Sequence, residues 1–127
     1  MSWKQANCII IIACFLGCGR GPKLGQVEGT VRLSGDPIEH VTVTFHAEDG
    51  STSYGITDSE GHYELALSGR KGAVLGPNRV VIESFRIDVG ENGDPIEHPE
   101  RIPAKYNIDS ELERDVQAGK QKFDFDL

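Results

Sequence analysis

The sequence predicts an all-β fold, a single β-sandwich of about seven short strands of Ig-like size. Three observations carry that expectation. Apolar and polar residues alternate with a period of two in segment after segment, as on a strand with one buried face. Clusters of Gly, Pro, Asp and Ser separate these segments at intervals of roughly 8–12 residues, the spacing of short antiparallel strands. No stretch sustains a 3.6-residue period, and residues 109–118 are the one place where a short helix competes. A chain of 127 residues has room for one such domain.

The chain opens on an address. Lys4 is the only charged side chain before the uncharged run Cys8-Ile9-Ile10-Ile11-Ile12-Ala13-Cys14-Phe15-Leu16-Gly17. As a helix that run measures about 15 Å, half of the ~30 Å hydrocarbon core of a bilayer, so it has the length of a secretory signal core rather than a membrane span. Its end, Phe15-Leu16-Gly17-Cys18, resembles the bacterial lipobox, in which a large apolar residue at minus three and a small one at minus one precede the Cys that receives diacylglycerol. The expectation is a cleaved lipoprotein signal peptide at residues 1–17 and lipidation of Cys18, with simple secretion as the alternative. Two acyl chains hold a protein on a bilayer where one holds it only marginally. Residues 18–26, rich in Gly, read as a lipidated tether, and residues 27–127 as the domain. All three Cys lie at positions 8, 14 and 18, so the expected domain has no disulfide, thiolate nucleophile or Cys-based zinc site.

Within the domain, Val27, Gly29, Val31 and Leu33 alternate with Glu28, Thr30 and Arg32 in a first strand, and Ser34-Gly35-Asp36-Pro37 is turn chemistry. Val41, Val43 and Phe45 alternate with Thr42, Thr44 and His46 in a second strand rich in β-branched residues. A polar loop around Gly50 leads to a short strand at residues 54–57. A tight turn at 58–61 follows, and then a strand with Tyr63, Leu65 and Leu67 on one side. Residues 79–83 form the next strand, with Val80 and Ile82 inward. Residues 90–101, with Pro95 and Pro99, read as a long polar loop or excursion, the kind of segment where function concentrates. Residues 112–116 and the alternating Phe123, Phe125 and Leu127 close the domain. The expected core is Val31, Val43, Phe45, Tyr63, Leu65, Val80, Ile82, Phe123 and Phe125.

Several of these segments together resemble the carboxypeptidase regulatory-like domain. They are Gly29-Thr30-Val31, Gly35-Asp36-Pro37-Ile38, Val41-Thr42-Val43-Thr44-Phe45, Gly55-Ile56-Thr57-Asp58-Ser59-Glu60-Gly61-His62-Tyr63, and Gly72-Ala73 with Gly76 before Val80-Val81-Ile82. The later Ile102-Pro103-Ala104-Lys105-Tyr106-Asn107 and the terminal Phe123-Asp124-Phe125-Asp126-Leu127 look like small bacterial lipoproteins built from one such domain. The resemblance covers about residues 27–127. It implies a transthyretin-like (prealbumin-like) β-sandwich acting as an accessory or interaction unit. The same fold includes 5-hydroxyisourate hydrolase, whose family uses His and Arg residues and a C-terminal Tyr-Arg-Gly-Ser tail that this chain lacks. A transthyretin-fold hydrolase is therefore the third reading, behind a non-catalytic module and a ligand- or metal-binding one.

The turn motif has a physical reading of its own. Thr57 ends a strand, the Asp58 carboxylate accepts backbone N–H groups in an Asx-type turn, Gly61 takes a positive φ, and Tyr63 returns to the core. A calcium site shared by Asp58 and Glu60 is the alternative. The sequence shows no P-loop, HExxH, GxSxG or Rossmann fingerprint. One repeat stands out, because Gly35-Asp36-Pro37-Ile38-Glu39-His40 recurs unchanged as Gly93-Asp94-Pro95-Ile96-Glu97-His98 while the flanks do not match. Asp36, Glu39, His40, Asp94, Glu97 and His98 are thereby candidate metal ligands, although turn chemistry and solvated surface account for both copies and no cofactor is assigned. His46 and His62 are read as structural or exposed.

The formal charge of −7 opposes nucleic acid as a partner, since that binding rests on Lys and Arg neutralising phosphates. The expected partners are the membrane, through the lipid on Cys18, and an unknown envelope protein or glycan. Protein is favoured because the single Trp, Trp3, lies in the signal and leaves none to stack on sugars. The expected location is the bacterial cell envelope, at the cell or outer membrane.

Overall fold

The computed structural model describes residues 21–127, so the signal, Cys18 and the first residues of the tether lie outside the described residues. The described chain is all-β, with one turn of 3-10 helix at Ala104–Tyr106 and no α-helix. Its antiparallel sheets form an arrangement consistent with a β-sandwich. The segment expected to compete as a helix contains a strand instead.

The first sheet is organised around β1 (Leu24–Leu33), which begins at Leu24 rather than Val27 and so absorbs the last residues of the expected tether. Along one edge β1 pairs antiparallel with β2 (Asp36–Pro37), β5 (His62–Glu64) and β8 (Ala73–Val74). Along the other it pairs in parallel with β13 (Lys120–Lys122) and β14 (Phe125–Asp126). The register is the same on both sides of the break between them, with Glu28 opposite Lys122 and Val31 opposite Phe125. The break itself is bridged by Phe123 N–H donating to the Glu28 carbonyl (2.9 Å) and Thr30 N–H donating to Asp124 Oδ1 (2.9 Å). The alternating C-terminus is thus one interrupted strand beside β1.

The second sheet runs β12 (Glu113–Val116), β9 (Gly76–Glu83), β3 (Thr42–Ala47), β4 (Thr52–Ile56), β6 (Ala66–Leu67), β7 (Arg70–Lys71). Two of the chain's changes of sheet fall between segments only one residue apart. β5 lies in the first sheet and β6 in the second, with the corner at Leu65, which is buried and donates its N–H to Val27. β8 and β9 repeat the change around Leu75. Strands that switch sheets make the corners of such packings, and they split what alternation reads as one strand into two. This is one reason why about seven expected strands become fourteen segments among the described residues.

Side chains from the two sheets meet between them. Val43, Phe45, Val80 and Ile82 of the second sheet and Val27, Val31, Tyr63 and Phe125 of the first are buried. Phe123, expected in the core, is only partly buried, but its ring stacks on Phe45 at 6.1 Å between centroids. Ile38, Val41, Ala73, Ile102 and Val116 are also buried and complete the core. Gly29 has no room for a side chain, since a Cβ there would lie 1.9 Å from the Phe123 carbonyl oxygen. That close approach brings the same oxygen to Tyr63, whose hydroxyl donates to it at 2.5 Å. Burial raises the Tyr63 phenol well above its ordinary titration range.

The expected polar excursion at residues 90–101 is instead the tip and second strand of a β-hairpin. β10 (Arg86–Val89) and β11 (Pro95–His98) pair antiparallel with each other and with neither large sheet. Apolar and charged residues alternate before the Glu91-Asn92-Gly93 turn in β10, whereas Pro95-Ile96-Glu97-His98 after it breaks the alternation and so obscures the hairpin.

Candidate functional site

β1 gives the domain two poles. At its start Leu24 pairs with Val74 near the tether, and at its end Leu33 pairs with Asp36. Ten residues of strand separate these ends by about 30 Å. The far pole carries the 36–41 crossover, the 58–61 turn and the base of the β10–β11 hairpin.

The Thr57 motif ties this pole together. Thr57 is buried at 3% exposure; its Oγ1 accepts from Val41 N–H (2.9 Å) and donates to the Ile38 carbonyl (2.7 Å). The crossover from the first sheet to the second is therefore fastened to the end of β4 by a side chain as well as by backbone. Asp58 Oδ1 accepts N–H groups from Glu60 (2.9 Å) and His62 (3.0 Å). These bonds, that from His62 first, hold the carboxyl below its ordinary titration range. Gly61 has φ +77°, donates to Asp58 O (2.9 Å) and accepts from Val31 N–H (2.8 Å). Tyr63 then enters the core. The carboxylate thus accepts two turn N–H groups, one of them from Glu60, the other residue of the alternative calcium site.

A second fastening holds the hairpin. Glu100 accepts from Ser84 N–H (2.7 Å), Ser84 Oγ (2.7 Å), Ile102 N–H (3.0 Å) and, more weakly, Phe85 N–H (3.4 Å). Ser84 Oγ in turn accepts from Arg101 N–H (2.7 Å). Partial burial pushes the Glu100 carboxyl upward, but the hydrogen bonds, led by that from the Ser84 side chain, outweigh it and leave the group below its ordinary range. One carboxylate thus clamps both legs of the hairpin to the end of β9.

The clamp sets the geometry of an open groove of about 470 Å³ between the crossover and the hairpin. Glu39, His40, Arg86, His98 and Arg101 line it, with Pro37, Ile38 and Pro99 as its apolar part. Arg101 Nη2 donates to the Glu39 carbonyl at 3.1 Å, and His40 Nε2 lies 3.5 Å from the Glu39 carboxylate. Arg86 Nε donates to Asp88 Oδ2 at 3.2 Å, and His98 Nε2 lies 3.0 Å from the same oxygen.

The two copies of the repeat therefore face each other, but only in part. Glu39 and His40 of the first and His98 of the second reach the groove, whereas Asp36, Asp94 and Glu97 do not line it. Asp36 lies in β2, Asp94 accepts from the Asn92 side chain (2.9 Å), and Glu97 stands opposite Ile87 in the hairpin ladder. The six candidate metal ligands do not form one site, and among the described residues no three His, Cys, Asp or Glu side chains converge as metal ligands. His62 bonds Glu28 across the first sheet (2.8 Å), and His46 approaches Thr52 (3.4 Å). Arg86, Asp88, Glu100 and Arg101 were not singled out from sequence. The charged half of the alternation in β10 is a signal for Arg86 and Asp88, whereas Glu100 and Arg101 follow β11 and carry no such signal.

Asn78, fully buried, donates to the Val74 (2.9 Å) and Gly76 (3.0 Å) carbonyls, and its Oδ1 is the one buried side-chain polar atom without a partner among the described residues.

No family model matches the chain, and no curated protein does. Among solved structures, a 9R-lipoxygenase from Cyanothece PCC8801 is similar at TM-score 0.47 and 17% identity, over 83% of this chain and 16% of that one.

Proposed function

We propose that the protein is a non-catalytic module of the bacterial cell envelope, anchored by lipid on Cys18, whose domain is of the transthyretin-like, carboxypeptidase regulatory-like kind. Its role in this reading is structural or protein-interacting. The observation that carries the proposal is the Phe15-Leu16-Gly17-Cys18 segment at the end of an uncharged run too short to span a bilayer. The placement of the poles supports it. A domain tethered through the start of β1 directs its other end, with the groove and the hairpin, away from the membrane that holds it. Phe85, Ile87 and Val89 at that end are 49%, 57% and 77% exposed, and the hairpin has edges that no other strand covers among the described residues. Exposed edges and apolar rows are what strand-adding protein partners use.

The anchor is tested by metabolic labelling with a radioactive fatty acid. Label in the wild type and its loss in Cys18→Ala are expected; no label, or equal label in both, overturns the proposal. The interaction role is tested with Ile87→Asp and Val89→Asp. These substitutions are expected to abolish cross-linking to envelope partners while leaving folding stability within about 0.5 kcal/mol of wild type, as at ordinary surface positions.

A further inference from the structure

We propose that the groove at the far pole binds a small carboxylate, held by Arg86 and Arg101 with His40 and His98 beside them. The first argument is charge. The chain as a whole carries 20 acidic side chains against 13 Lys and Arg, yet the groove lining sets two Arg, with two His beside them, against a single carboxylate, Glu39.

The second is the way Arg86 is held. Asp88 is not part of the lining, and its Oδ2 lies 3.2 Å from Nε of Arg86 and 3.0 Å from Nε2 of His98. The two terminal nitrogens of Arg86 have no hydrogen-bond partner among the described residues. Arg101 spends one terminal nitrogen on the Glu39 carbonyl, and its other guanidinium nitrogens have no hydrogen-bond partner among the described residues. A guanidinium fixed at one edge, with its fork free, is arranged to receive the two oxygens of a planar carboxylate.

The third is shape. A volume of about 470 Å³ falls within the size range of small-molecule sites, and Pro37, Ile38 and Pro99 offer an apolar wall for the hydrocarbon part of an organic acid. Glu100 supplies the rigidity, because it fixes the segment between His98 and Arg101 to the root of the hairpin. The inference does not depend on acylation of Cys18, so the two proposals fail separately.

The test is an NMR titration of the isotopically labelled full chain in detergent micelles, with succinate as the probe, succinamide as its uncharged counterpart and inorganic phosphate as a second anion. Saturable shifts confined to residues 37–40, 86 and 98–101 are expected with succinate and not with succinamide. Arg86→Gln is expected to weaken succinate binding roughly tenfold, the loss of one charge-assisted pair, while Arg70→Gln at the opposite pole leaves it unchanged. Arg101→Gln provides a second variant should Arg86→Gln disturb amide dispersion away from the groove. The proposal is overturned by non-saturating shifts, by an equal response to succinamide, by binding of phosphate without succinate, or by undiminished affinity in a folded Arg variant.

Discussion

Replacing Thr57 by Val is nearly isosteric, and it removes the hydroxyl that joins the crossover to β4. Two groups lose their partners together. The Val41 N–H, on a residue with 0% exposure, loses its acceptor, and the carbonyl of Ile38, on a residue with 6% exposure, loses its donor. Water does not reach either group easily, so each carries a desolvation cost of about 1–3 kcal/mol. Since the two groups share one crossover and the costs are not additive, the expected total is about 2–5 kcal/mol. Thr57→Ser keeps the hydroxyl and removes one buried methyl, which costs about 1 kcal/mol. Equilibrium urea unfolding of the full chain, followed by far-ultraviolet circular dichroism, separates the two. With a slope of about 2 kcal/mol/M, the middle of the range for small domains, the Val variant is expected to unfold about 1–2.5 M below wild type and the Ser variant about 0.5 M below it. A Val variant as stable as the Ser variant would refute the reasoning, because the methyl rather than the hydroxyl would then be what the site requires.

Other predictions test the turn and the clamp. Gly61→Ala places a Cβ 2.6 Å from the Val31 carbonyl at φ +77°, whereas Gly93→Ala meets nothing within 4 Å at φ +88°. Both bear the left-handed penalty of about 1–2 kcal/mol, and Gly61→Ala is expected to cost measurably more in thermal unfolding. Glu100→Gln is expected to destabilise the domain by about 1–3 kcal/mol at neutral pH. The folded state lowers this carboxyl, so its contribution is complete above the ordinary Glu range and is lost as pH falls through the folded value. The gap between wild type and Glu100→Gln should therefore close in acid, and a gap independent of pH would contradict the clamp. Asp58 is expected to titrate below the ordinary Asp value when followed by side-chain carbonyl NMR; a midpoint at or above that value would show that the turn does not bind the charged form.

Much of the fold was legible because alternation is local. Val43 and Phe45, or Val80 and Ile82, sit two apart, and any strand with one buried face points both inward. The turn at 58–61 was legible for a similar reason, since an Asp and a Gly at that spacing have few other low-energy conformations. The sheet switches at Leu65 and Leu75 were not, because a strand crossing a corner keeps its alternation while it changes partner. The groove was hidden for the same reason: its Arg and His residues come from segments far apart in sequence, and only their pairing in space gives them a common purpose.

The repeated hexapeptide separates the two kinds of information. Gly35 and Gly93 have φ +89° and +88°, so the glycine is left-handed in both copies. After the proline the copies part. In the first, Ile38 is 6% exposed and His40 turns at φ +64°; in the second, Ile96 is 47% exposed and the chain runs on as a strand to His98. By itself the sequence determined the turns, the alternation and the candidate anchor at Cys18, all of which depend on neighbours within a few residues. Only the tertiary structure decided which copy enters the core, that Phe125 lies beside Val31, and that two arginines meet two histidines in one groove. Those outcomes depend on which distant surface is available to bury each segment, and six identical residues carry no record of that.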